Sequence, residues 1–79
     1  MILVVAGAYE DFLDYCREKG LNPHSRPTAV RYVQSYNDFL VDAAELVLYN
    51  GFEKNPVYEN EETWSFLMEY GKSRKWTGI

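Results

Sequence analysis

An α/β fold with a minimal three-stranded parallel sheet, strand order 2-1-3 and helices on both faces is predicted by three observations on the sequence. The first is the run Ile2-Leu3-Val4-Val5-Ala6, closed by Gly7, whose unbroken apolar character marks a strand covered on both faces. A half-solvated antiparallel strand would instead alternate apolar with polar residues. The second is an amphipathic helix signal that follows at once, from Tyr9 to Lys19. The third is that strand and helix signals keep alternating along the chain, which calls for parallel strands joined by right-handed crossovers. With the most apolar strand placed centrally, 2-1-3 is the economical order.

In the first helix, Tyr9, Phe12, Leu13 and Cys16 recur at i, i+3, i+4 and i+7, the stripe of a helix packed on a sheet. Glu10 and Asp11 in the first turn and Arg17 and Lys19 in the last complement the helix dipole. Gly20 followed by Leu21 predicts a Schellman end, and Asn22-Pro23 blocks continuation. Pro23 to Pro27, with His24, Ser25 and Arg26, reads as a connecting loop, and Thr28 to Val33 as an edge strand. Ser35 and Asp38 give a capping-box-like start for a short helix through Tyr36, Phe39 and Leu40. Asp42-Ala43-Ala44 returns the chain to the sheet, and Glu45 to Tyr49 is the third strand, ended by the turn Asn50-Gly51. Phe52 to Tyr58, interrupted by Pro56, reads as irregular. Asn60 caps a last helix with Glu61 and Glu62 in its first turn, an inward stripe of Trp64, Leu67, Met68 and Gly71, and Lys72, Arg74 and Lys75 at its end. Residues 74–79 read as a short tail of a single domain, 1–79.

A chain of 79 residues buries only somewhat over about 60% of its unfolded surface, so stability is modest and a deep active site has little room. The apolar share of 47% excludes a disordered chain. Four Phe, two Trp and seven Tyr exceed what so small a core can cover, which predicts surface aromatics and an interface, a homodimer through Tyr70 and Trp76 among the expectations. A net charge of −4 argues against binding nucleic acid through phosphates. The single Cys excludes an internal disulfide and fits a reducing cytosol. Neither a membrane span nor the basic start of a signal peptide is read.

In open α/β sheets of this Rossmann-like kind, ligands sit at the carboxyl ends of the strands where the order reverses. Those ends are Gly7, Ala8 and Tyr9 after the first strand, Gln34 and Ser35 after the second, and Asn50, Gly51 and Phe52 after the third. The single Gly7 falls short of the G-x-G-x-x-G phosphate loop, Glu10 and Asp11 would repel a phosphate there, and no P-loop occurs. Gly7 is therefore read as a turn residue. Cys16 lies on the apolar stripe as an inert thiol, His24 has no second ligand near it, and Ser35 is explained by capping. No catalytic residue, metal site or cofactor is assigned. Glu10, Asp11, Glu53, Glu59, Glu61 and Glu62 fall on the same edge, as a solvated surface or as an acidic rim for a basic partner.

The run from Val5 to Pro23, Val-Ala-Gly-x-Tyr-x-x-Phe-x-x-Tyr-Cys-x-x-x-x-Leu-Asn-Pro, with the later strand and Asn55-Pro56, resembles small uncharacterised proteins encoded by tailed bacteriophages across most of the chain. The resemblance implies a phage accessory protein made in the host bacterial cytoplasm and acting on host machinery or defence, and it transfers no catalytic residue.

Two functions are weighed. The preferred one is a non-enzymatic protein that binds a host or phage protein through Glu10, Asp11, Glu53, Glu59, Glu61, Glu62, Tyr70 and Trp76. Core spacing takes Phe12, Phe39 and Trp64, while Tyr15, Tyr36, Tyr58, Phe66, Tyr70 and Trp76 do not all fit inside and are the candidates for an interface. The alternative is a small-ligand, nucleotide-like binder using Gly7, Ala8, Tyr9, Gln34, Ser35, Asn50, Gly51 and Phe52. An enzyme ranks third, because no nucleophile, base and orienter assemble from these residues.

Overall fold

The computed structural model describes residues 1–24, 30–39, 45–72 and 75–77, the last stretch by its backbone alone. Strand β1 (Ile2–Val5) leads into helix α1 (Tyr9–Lys19), followed by β2 (Val30–Tyr32), a 3₁₀ turn at Tyr36–Phe39, and β3 (Glu45–Leu48). A second 3₁₀ turn at Phe52–Lys54, helix α2 (Pro56–Glu59), helix α3 (Glu61–Gly71) and strand β4 (Lys75–Thr77) complete it. All strand pairs are parallel, and the order is β2-β1-β3-β4. The expected 2-1-3 core is there, with β1 paired on both sides. The sheet has a fourth strand where a tail was expected, since Lys75, Trp76 and Thr77 pair with Glu45, Leu46 and Val47. Three residues are too few to show a period, but α3 returns the chain to the start of β3, where pairing follows.

β1 organises the packing because its alternate residues serve different layers. Leu3 and Val5 bury against Val33, Phe39, Leu46, Leu48, Val57 and Leu67, the layer of the first 3₁₀ turn, α2 and α3. Val4 and Ala6 bury against Phe12, Tyr15, Cys16, Val30 and Val47, the α1 layer. The crossover from β1 to β2 steps one way along the sheet and the later two step the other way. With one crossover hand, α1 must then lie on the face opposite α2 and α3.

Local signals explain the element ends. Gly20 is left-handed at φ 68°, and Leu21 N–H donates to Cys16 O at 2.8 Å, which closes the Schellman motif. Asp38 Oδ2 accepts from the Ser35 N–H at 3.1 Å, as the capping pattern requires. Asn60 accepts from Thr63 N–H at 3.0 Å and so caps α3. The segment read as irregular contains α2, because Pro56 fits the first helical position and Asn55 caps it.

Three aromatics depart from expectation. Tyr15 is buried, because the sheet-facing stripe of α1 is centred on Phe12, Tyr15 and Cys16. Tyr9, at the helix start, is 46% exposed and leans on Phe12 and Tyr32. Trp64 is only half-buried, stacked on Phe52 at the rim of the core. The expectations for Thr28, Ala29, Leu40, Asp42, Ala43, Ala44 and Arg74 lie outside the described residues.

Candidate functional site

The carboxyl edge is where a Rossmann-like sheet would offer a ligand crevice, and between β1 and β3 the chain itself fills it. Gly51 ends the turn after β3 at φ 82°, a left-handed conformation natural to glycine. A Cβ placed on Gly7 would come within 2.6 Å of the Gly51 carbonyl oxygen, so the loops after β1 and β3 lie directly against each other. Beside them, fully buried Asn55 spans the ends of β1 and β2. Its Nδ2 donates to Ala6 O and to Val33 O, each at 2.7 Å, and its Oδ1 accepts from Val57 N–H at 3.0 Å. One side chain thus satisfies two strand-end carbonyls and a helix start. Composition and periodicity do not reveal this role, although an Asn before Pro is a local helix-start signal.

The residues of the ligand reading are therefore not gathered around one crevice. Gly7 and Gly51 face each other, Ala8, Tyr9 and Asn50 are exposed, and Phe52 is taken up by stacking on Trp64 at 5.9 Å. Gln34 and Ser35 lie further out, their N–H groups both donating to Asp38 Oδ2. They line an open groove of about 220 Å³ with Tyr36, Pro56, Val57, Asn60 and Thr63. Its walls are the 3₁₀ turn after β2 on one side and α2 with the start of α3 on the other.

The acidic residues reach the same edge of the sheet from opposite faces. Glu10 and Asp11 belong to α1, whereas Glu53, Glu59, Glu61 and Glu62 belong to the second 3₁₀ turn, α2 and α3. All are exposed except Asp11, which is half-buried beside Gly7 and Gly51. On the α3 face, Tyr36 (42% exposed) and Phe66 (50% exposed) touch edge to face at 5.6 Å. Tyr58, also exposed, packs on Phe52 and Trp64 at the other flank. Tyr70 is half-buried against Phe39, and the side chain of Trp76 lies outside the described residues.

Among the described residues no three His, Cys, Asp or Glu side chains converge as a metal site would require. Cys16 is buried, and burial pushes its thiol up, away from the reactive thiolate. His24 is exposed in the loop beyond α1. No helix among the described residues is long and apolar enough to cross a membrane.

Three phenols among the described residues are pushed above the usual tyrosine range. Burial raises Tyr15, with Glu45 adding to it; burial raises Tyr32, helped by Asp11 and Asp38; and Tyr49 is raised by donating its hydroxyl to Glu18 Oε2 at 2.9 Å. A raised acid in the fold adds stability that is complete below the unfolded pKa, near 10, and is lost as pH climbs through the folded value. Thermal stability is therefore expected to fall on raising the pH above about 10. Tyr49→Phe, which cannot ionise, should lessen the fall; an unchanged alkaline profile in that variant would contradict the role given to the Glu18 bond.

Comparison of the chain with protein-family models, curated proteins and solved structures gave no match.

Proposed function

We propose that the protein acts by binding another protein and not by catalysis, as an accessory protein of phage type working in the host bacterial cytoplasm. The observation that carries this reading is the filled carboxyl edge. Asn55 and the Gly7–Gly51 approach occupy the place where a nucleotide would enter, while aromatic rings and carboxylates stand exposed beside it. The small-ligand reading would need the loops after β1 and β3 to part. A homodimer would compete for the same exposed rings, but the surrounding carboxylates would then face each other across a two-fold axis.

Affinity capture from infected host cells, followed by association kinetics with the purified captured protein, tests the proposal. Glu61→Lys with Glu62→Lys reverses two exposed charges, so folding should be kept while association slows about tenfold or more at low salt. Added salt should shrink that difference. Association insensitive to both the reversal and salt would remove the acidic surface from the account, and turnover of a nucleotide, phosphoester or peptide by purified protein would overturn the non-enzymatic reading.

A further inference from the structure

We propose that the groove between the 3₁₀ turn after β2 and the start of α3, with the Tyr36–Phe66 ring pair at its mouth, receives an arginine side chain from a basic segment of the partner. This inference rests on the protein-binding reading and names the chemistry of its partner.

Charge is the first argument. The segments that wall the groove, residues 34–39 and 56–64, carry four carboxylates, Asp38, Glu59, Glu61 and Glu62, and no lysine or arginine. All eight basic residues of the chain lie elsewhere in the sequence. The groove's own lining is uncharged, and the field of these flanking carboxylates favours a cationic occupant and repels an acidic one.

Shape and surface chemistry are the second. The groove, at about 220 Å³, is smaller than the roughly 300 to 1,000 Å³ usual for a small-molecule site, and it is open, which suits one or two side chains of a longer ligand. Neutral polar groups of Gln34, Ser35, Asn60 and Thr63 line it, and Val57 and Pro56 give it an apolar patch for an aliphatic stem. At its mouth Tyr36 is a lining residue whose ring meets Phe66, so exposed aromatic surface stands beside the carboxylates of α3. A guanidinium stacks on such rings and forks to a carboxylate, whereas an ammonium is a more strongly hydrated point charge. Glu62 and Glu69 flank Phe66 on the helix surface at i−4 and i+3, and Glu69 pairs with exposed Lys72, so Glu62 is the carboxylate assigned to the fork.

The test is a ¹⁵N chemical-shift titration of the whole chain with three seven-residue peptides, Gly-Gly-Xaa-Gly-Xaa-Gly-Gly, in which Xaa is Arg, Lys or Glu, and with inorganic phosphate. The Arg peptide should move the amides of Gln34, Ser35, Tyr36, Thr63 and Phe66, bind more tightly than the Lys peptide, and weaken with salt; the Glu peptide and phosphate should move none of them. Phe66→Ala and Tyr36→Ala, both at exposed positions, should each weaken the Arg peptide about two- to fivefold while leaving the spectrum of the remaining chain in place. Shifts centred on Glu10 and Glu18, equal binding of Arg and Lys, or phosphate binding at the groove would each overturn the inference. If the peptides fail while the captured partner still binds in a salt-sensitive way, this inference falls and the protein-binding reading stands.

Discussion

Val4→Asp is expected to abolish cooperative unfolding of the domain. Val4 is completely buried, pairs with Tyr32 in β2 and Val47 in β3, and packs into the α1 layer with Phe12, Tyr15 and Cys16. Among the described residues the side chains packed around Val4 in this layer are uncharged, and the backbone groups of β1 serve the ladders on both sides, so a carboxylate there is left without a cation to pair with. The cost of several kcal/mol compares with a total stability of roughly 5 to 10 kcal/mol for a chain of this size. Val4→Ala, which only removes methyl groups, should cost on the order of 2 kcal/mol and keep a sharp transition. A cooperative melt retained in Val4→Asp would contradict the placement of β1 at the centre of the sheet.

Asn55→Asp should destabilise the domain at least as strongly as Asn55→Ala. The comparison separates the two jobs of this side chain, since Asp keeps an oxygen to cap Val57 N–H but turns the donor into a carboxylate oxygen facing Ala6 O and Val33 O. Asn55→Ala strands both carbonyls and the Val57 N–H without partners, at about 1 to 3 kcal/mol for each buried group. In a domain of this length that amounts to a fall in melting temperature of at least about 10 °C. If Asn55→Asp melted like the parent chain, capping alone would explain the residue, and the seal across the strand ends would lose its support.

How much of this was legible in the sequence depends on how far each signal reaches along the chain. β1 and α1 were readable because a continuous apolar run and a clean i, i+3, i+4, i+7 stripe are local properties, and the alternation of Leu3 and Val5 with Val4 between two layers followed from them. Gly20, Asn60 and the Ser35–Asp38 pair did as their residue types dictate. β4 escaped because three residues carry no period, and its partner β3 lies some thirty positions earlier in the chain. Tyr15, one of the interface candidates, is buried, since a one-residue rotation of the helix stripe separates the two outcomes. At the candidate site, Gln34 and Ser35 were found as strand-end residues, but their meeting with Asn60 and Thr63 depends on how α3 lies over the sheet. Asn55 was visible only as the residue before a proline; the two carbonyls that it joins are 49 and 22 residues distant.

As proposed, the carboxyl edge of this sheet is a docking surface and not a ligand crevice. Amide chemical-shift mapping of the ¹⁵N-labelled chain, first against ATP and then against the captured partner protein, tests it most directly. No perturbation is expected at Gly7, Ala8, Asn50 or Gly51 with ATP, and the partner should perturb Gln34, Ser35, Tyr36 and the first two turns of α3. Saturable ATP-induced shifts at Gly7 and Gly51, with the α3 residues unmoved by the partner, would contradict it.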